Sequence, residues 1–383
     1  MALKKKKRGQ SEYFFDYSLL FIVLFLLGFG LVMIYSTSSY EAAQEYGSST
    51  YFLQKQLFAT ILGLIMMIVV ANIPYRFWEK FALVGYMAAM VLILLIIPFG
   101  KEANGAKRWL IIAGISLQPA EVAKLCMILF LAVVVCKMGK GIRTTKGFLL
   151  VLLMPLPVVL MVWKITSNMS SAIIIMGIAI LMLFVASPDY KKFIIMALGV
   201  IAAAAVVVFV IVNMANGDGL DFRGERILAW LDPEAYADGK GFQTLQALYA
   251  IGSGGIWGKG LGQSMQKLGF IPEAQNDMIF SIICEELGLF GAVAIILMFI
   301  MLIWRLMVIA NNAPDLFGAL LVVGVLGHIA IQVILNIAVV TNTIPNTGIS
   351  LPFISYGGSS VMFLLIEIGL VLNVAKRIQL KEM

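Results

Sequence analysis

The stretch Ile271–Gly288, IPEAQNDMIFSIICEELG, sets Asp277 where a polar, Gly-rich segment of about sixty residues meets a long apolar run. That boundary reads as the mouth of a membrane helix. An ionisable group held there is costly unless matched, so it marks a pathway or a site more often than filler. The plainer reading is a helix cap, with Asn276 or Asp277 accepting the free amide hydrogens of the first turn for about 1 kcal/mol.

The apolar run after Asp277 is one of many. With 383 residues, 61% hydrophobic and 13% charged, and a mean hydropathy of +0.97, the chain cannot be a soluble domain. A spanning helix needs about 20 mostly apolar residues. Such runs lie near 17–37, 56–74, 81–98, 120–136, 148–164, 172–187, 193–214, 278–304, 316–340 and 358–375. The fold class is therefore an all-α polytopic membrane protein, with residues 1–383 forming a single integral domain of ten spans.

The N-terminal MALKKKKRGQ precedes the first run with no small-residue cleavage site, so that run is an uncleaved span. Basic residues at the span ends gather on one side: Lys4 to Arg8, Arg76, Lys80, Lys137, Lys140, Arg143, Lys146, Lys191, Lys192, Arg305, Lys376, Arg377 and Lys381. By the positive-inside rule that side is cytoplasmic, and both termini, 1–16 and 376–383, are cytoplasmic tails. The net charge of +7 then reports topology, and no nucleic-acid partner is expected. Cys126, Cys136 and Cys284 lie within apolar runs without metal-ligand spacing and read as core thiols.

Two of the outward-facing segments are basic against that rule. In GKEANGAKRWLIIAGISLQPAEVAKL (residues 100–125), Lys107 and Arg108 face outward, and Glu121 and Lys124 share one helix face three residues apart. We expect an anion site for a phosphate-bearing ligand; the alternative is a Glu121–Lys124 ion pair that neutralises itself. The large extracytoplasmic loop, 216–276, carries Arg223, Glu225, Arg226, Lys240, Lys259 and Lys267. Its AIGSGGIWGKGLGQS lacks the spacing of a phosphate loop, so its glycines read as tight turns lining a cavity. On the ninth span His328, Gln332 and Asn336 form a polar stripe, read as inter-helix hydrogen bonding. The last outer segment, NTIPNTGISLPFISYGGSS, reads as a folded-back loop.

GAKRW, QPAEVAKL, GFQTLQALYAIGSGGIWGKGLGQS, IPEAQNDMIFSIICEELG and TGISLPFISYGGSS follow one another in order. Together they closely resemble the SEDS family (shape, elongation, division and sporulation), ten-span membrane enzymes. LVMIYSTSS and GISLPFISYGGSS are closer to the FtsW and SpoVE branch than to RodA. The resemblance implies polymerisation of peptidoglycan glycan strands from lipid II on the outer face of the bacterial cytoplasmic membrane, in division or sporulation. It puts the essential carboxylate on Asp277 and matches Arg223 and Arg226, ahead of Asp232 and Pro233, to an R-x-x-R pattern. It matches Glu121 and Lys124 to a charged pair opening the fourth span.

The expected substrate-binding set is thus Lys107, Arg108, Glu121, Lys124, Arg223, Arg226, Lys267, Glu273, Ser355 and Ser359. One departure is Ser167, Asn168, Met169, Ser170 and Ser171, where many members carry an acidic P-D-x-G-T. The family's partner is a class B penicillin-binding transpeptidase, among divisome or sporulation proteins. No ligand cluster demands a cofactor, although a divalent cation (Mg or Mn) could assist the diphosphate.

Two rivals stand beside this reading: a lipid II flippase, against which the absence of an evident repeat and the outward clustering of polar groups argue, and a scaffold that only recruits a transpeptidase. A lipid-linked substrate also needs a sideways entrance. The seventh span, Phe193 to Val212 with its IAAAAVVVF, has nothing polar to lock it to neighbours. We expect an outer-leaflet groove beside it, apolar below a basic rim and leading to Asp277, in contrast to a tightly packed helix.

Overall fold

Ten helices long and apolar enough to cross a bilayer make up most of the computed structural model, which describes residues 16–103, 106–112, 115–187, 189–214, 222–239 and 241–378, the side chains of 103, 106, 112, 115, 214, 222 and 223 excepted. Lys4 to Arg8, Asn216, Gly217, Gly219, Lys240 and Lys381 lie outside the described residues.

The first seven spans are α1 (Tyr17–Tyr46), α2 (Tyr51–Asn72), α3 (Ala82–Phe99), α4 (Pro119–Arg143), α5 (Thr145–Ile165), α6 (Met169–Ala186) and α7 (Tyr190–Asn213). Two shorter helices, α8 (Phe222–Leu231) and α9 (Phe242–Gly254), lie within the Gly-rich segment. Spans eight to ten are α10 (Ile279–Asn311), α11 (Leu316–Val340) and α12 (Gly358–Ala375). All ten expected spans are present. The first runs nine residues past its expected end, because the polar Ser36–Ser39 stretch bonds back onto its own helix, Thr37 Oγ1 to the Met33 carbonyl and Ser38 Oγ to that of Ile34.

One element is not helical. The loop after α3 folds into an antiparallel sheet in the order β1 (Lys101–Ala103), β2 (Ala106–Ile112), β3 (Ile115–Leu117), with Lys101 opposite Trp109, Glu102 opposite Lys107 and Leu110 opposite Leu117. Leu110 is buried while Ile111 is exposed, the alternation of a strand with one face on the protein.

Small residues let the inner helices close. A Cβ on Gly63 of α2 would stand 2.7 Å from Leu365 Cδ1, and one on Gly369 of α12 would stand 2.7 Å from the Met67 carbonyl oxygen, so these two helices touch almost backbone to backbone. At the end of the bundle away from Asp277, charged groups staple the helices together. Asp16 caps α1 at Leu19 N and takes Arg305 of α10. Asp315 caps α11 at Gly318 N and accepts from Tyr75 Oη and Arg76, each at 2.7 Å.

Peripheral α7 is the exception. No residue in its most apolar eighteen is buried. Phe193 at its base wedges against Phe148 and Phe184, and the tightly packed alternative is not what the structure holds.

Candidate active site

Asp277 precedes α10 by two residues. The N-cap position of α10 is Met278, with no side-chain cap, so the carboxylate is not used as a cap. Its backbone is fixed from α11: Asn336 Nδ2 donates to the carbonyls of Asp277 (2.8 Å) and Ile349 (2.7 Å). One turn down, Gln332 Nε2 donates to the Ser350 carbonyl at 3.0 Å, and Tyr356 N donates to the Gln275 carbonyl at 2.9 Å. Two members of the polar stripe therefore clamp the 344–357 loop against the Asp277 turn. The third, His328, pairs at 2.8 Å with Glu367 of α12, both fully buried. Gly348 brings that loop close: with φ +67, its added Cβ would lie 3.7 Å from Asp277 Oδ2.

Burial raises the Asp277 carboxyl to a pKa of about 7, reinforced by the negative Glu273 and opposed by nearby backbone amides and by Arg226. Glu273 sits at φ 51, an unfavourable conformation for a residue with a side chain, and accepts from Asn276 Nδ2 at 2.8 Å. Arg108 belongs to the same electrostatic group. Burial lowers its pKa and Glu273 raises it. Its guanidinium donates to the carbonyls of Thr166 (3.3 Å) and Ser167 (3.2 Å). Ser170 Oγ then donates to the Thr347 carbonyl, so the loop between α5 and α6 is stitched into the site. Asn168, which replaces the family's acid, caps α6 by accepting from Ser171 N at 3.0 Å, a role Asn and Asp fill about equally.

The site thus draws together Asp277, Glu273, Arg108 and Arg226. Lys107 is exposed on β2, and the Arg223 side chain lies outside the described residues. Four of the residues expected to bind substrate, Glu121, Lys124, Lys267 and Ser355, are engaged with other groups of the protein. Lys124 is bound to Glu121 at 2.8 Å and almost wholly buried, the self-neutralising alternative. Lys267 is buried on Glu286 (2.8 Å) and Ser36 Oγ (3.1 Å). Ser355 Oγ accepts from Leu351 N at 2.7 Å and braces its own loop.

Glu285, Glu286 and Glu367 escaped the sequence reading. Lys259 meets Glu285 at 2.7 Å, as Lys267 meets Glu286, so two adjacent carboxylates of α10 hold the Gly-rich segment. Backbone bonds from Lys259 N and Gly260 N to the Glu285 and Glu286 carbonyls lay the loop along the helix. Gly288, at φ +66, kinks α10 here, and its added Cβ would fall 2.3 Å from Gly258 N. Among carboxylates in a span, a lysine 19 residues upstream is not a readable partner, although the EEL sequence inside an apolar run was a signal in itself.

A cavity of about 570 Å³ opens between α2, the sheet and the start of α12. Lys55, Lys101 and Ser359 stand at its polar edge, and Phe58, Leu62 and Met362 line its apolar part. Ser359 Oγ is buried and has no partner. This cavity has the basic rim and apolar floor anticipated for a lipid-linked ligand, but it lies beside the second span instead of the seventh. Among the described residues no three His, Cys, Asp or Glu side chains gather as a metal site.

Comparison with known proteins places this architecture. Residues 17–380 match the cell cycle protein family of FtsW, RodA and SpoVE. The chain is 39% identical over 366 residues to the stage V sporulation protein E of Bacillus subtilis, covering 94% of this chain and 97% of that protein. It is 37% identical over 382 residues to a probable peptidoglycan glycosyltransferase FtsW of Trichlorobacter lovleyi, covering 99% and 97%. In structure it is similar to a chain from a peptidoglycan synthase complex in which polymerisation and crosslinking are coordinated (TM-score 0.78, 28% identity, 96% and 99% covered). It is also similar to the Thermus thermophilus rod shape determining protein RodA (TM-score 0.66, 26% identity, 96% and 98% covered).

Proposed function

Because the chain belongs to the FtsW, RodA and SpoVE family, we propose that it is a peptidoglycan glycosyltransferase that joins lipid II units into glycan strands with Asp277 as the general base. The arrangement that carries this reading is a carboxylate set just ahead of α10 and anchored through its backbone by Asn336, with Glu273 and Arg226 acting on it and burial raising its pKa to about 7. A base poised near the working pH combines deprotonation with proton-accepting strength.

The sugar of a polyprenyl-diphosphate donor departs with a leaving group that needs charge balance and no proton. Asp277 takes the proton of the acceptor's 4-hydroxyl while that hydroxyl's oxygen forms a bond to the donor's anomeric carbon. The bond from that carbon to the diphosphate oxygen breaks, and the electron pair leaves with the diphosphate. One displacement turns an α-linked donor into a β-linked product, the logic of single-base inverting enzymes. Arg108 and Arg226 are the cations for the two diphosphates; Lys107 and Arg223 join them from the same loops.

The 570 Å³ cavity supports a lipid-linked substrate, since it offers ammonium groups above apolar walls. The reaction face is extracytoplasmic in the bacterial cytoplasmic membrane, and the partner is a class B penicillin-binding transpeptidase in division or sporulation. Incubating the purified chain with lipid II and resolving the products by length tests the reading: strands are expected from the wild type and none from Asp277→Asn.

A further inference from the structure

A second cavity, of about 220 Å³, is lined by Arg226, Trp230, Phe242, Gln243, Thr244 and Asn346, with Ala229, Gly239 and Pro272 closing it. Every lining residue lies outside the ten spans, in the segments that join them. The pocket is smaller than the roughly 300–1,000 Å³ of a drug-sized site, which leaves room for one ring. Its chemistry is two aromatic side chains, two amides and a hydroxyl, with the Arg226 guanidinium shared with the diphosphate side, a match for a neutral ring bearing hydroxyl and amide groups.

The pocket is also wired to Asp277. Trp230 Nε1 donates to the Asn342 carbonyl at 3.0 Å, and Asn342 Nδ2 returns a bond to the Trp230 carbonyl at 3.2 Å. Asn346 Nδ2 donates to Gln243 Oε1 at 2.9 Å, and Gln243 Nε2 to the Pro272 carbonyl at 3.2 Å. Asn346 Oδ1 accepts from Gly348 N at 3.0 Å, and Gly348 is the residue that faces the Asp277 carboxylate. Arg226 both lines the pocket and acts on Asp277.

We propose that this pocket is a subsite for one pyranose ring of the glycan strand, next to the sugars that react at Asp277. The proposal rests on the transferase reading and adds to it a site for the water-soluble part of the substrate. It holds the chain while the lipid end stays in the bilayer.

Gly239 offers a clean block. Its backbone is not in the left-handed region, and an added Cβ meets nothing closer than the Tyr236 carbonyl at 3.9 Å, so the pocket wall accepts the bulk of Gly239→Phe. The probe is a lipid-free peptidoglycan oligosaccharide stripped of stem peptides, titrated calorimetrically into the full chain in detergent, with isolated stem peptide as the second arm. The wild type is expected to bind the oligosaccharide, and Gly239→Phe and Gln243→Ala to bind it at least tenfold more weakly with unchanged melting temperatures. Should Gly239→Phe lower the melting temperature, Gln243→Ala alone decides. Equal affinity in the folded variants, no binding by the wild type, or binding of the stem peptide in place of the glycan overturns the subsite. Lipid II polymerisation by the same wild-type preparation is read separately: strands without glycan binding remove the subsite and leave the transferase, whereas glycan binding without strands removes the transferase and leaves a sugar site.

Discussion

Asn336 Nδ2 lies 2.8 Å from the carbonyl of Asp277 and 2.7 Å from that of Ile349, so one amide on α11 sets the turn that carries the carboxylate and the loop that faces it. Asn336→Leu removes both bonds and leaves two carbonyls short of partners, at a cost of about 1–3 kcal/mol for each group left unsatisfied. Polymerisation is expected to fall more than tenfold while the variant still purifies as folded protein. A melting curve together with a strand-length assay checks this, and full activity would mean that other contacts position Asp277.

The pH dependence follows from the raised pKa of Asp277. As a base it must be ionised, so polymerisation should rise with pH to a plateau, with its midpoint at about 7. Stability runs the other way. The folded state keeps the proton to about pH 7, whereas an unfolded Asp releases it near pH 4, so folding loses stability as pH rises between these values and is level above them. Asp277→Asn is therefore expected to be inactive yet to melt higher than wild type, by a margin that grows from about pH 4 to 7 and then stays constant. Melting curves across that range decide it; a margin independent of pH would contradict the raised pKa.

Lys267 and Lys259 should differ in weight. Glu286 is fully buried with Lys267 and Ser36 as its hydrogen-bond donors. Glu285 has Ser264, Met265 N and Gln266 N besides Lys259, and Lys259 is about one-third exposed. Removing one member of a buried pair costs about 3–5 kcal/mol. Lys267→Met is expected to approach that figure, and Lys259→Met to cost clearly less because the remaining donors still satisfy Glu285. Replacing both Lys267 and Glu286 by Leu should recover much of the loss. Denaturation of the three variants side by side is the measurement, and equal losses for the two lysine variants would refute the ranking.

These pairs also mark where sequence reading ends. The ten spans were legible because a bilayer imposes a length and an apolar composition on each helix, and the polar stripe of α11 because 3.6 residues per turn puts His328, Gln332 and Asn336 on one face. The position of Asp277 just ahead of a span was legible from a composition boundary. Lys267 was not, because its partners Glu286 and Ser36 lie 19 and 231 residues away, and an outward lysine looks the same whether it awaits a ligand or is already paired. Glu121 and Lys124 were readable either way. The sheet after α3 has strands of three to seven residues, too short for period alone, and the end of α9 runs into the glycines of AIGSGGIWGKGLGQS, which argued for turns.

The freedom of α7 leads to the last expectation. Small and β-branched residues can serve close packing, yet here the span stands clear of the bundle: its apolar core is unburied, and Val206, Phe209 and Val210 are exposed. What holds it is aromatic contact at one end, where Phe193 meets Phe148 and Phe184 edge to face. A helix fixed at its base and free along its length can tilt at the cost of lipid contacts alone, whereas the walls of the 570 Å³ cavity belong to α2 and α12, which interlock through Gly63 and Gly369. Movement that admits a lipid-linked sugar to Asp277 is therefore expected from α7. A cross-link from a cysteine in its outer half to α8, the helix it touches there, should stop polymerisation, and cleaving the cross-link should restore it, while a cross-link between α2 and α12 should leave the rate unchanged. Full activity with α7 tethered would assign entry to the α2–α12 side.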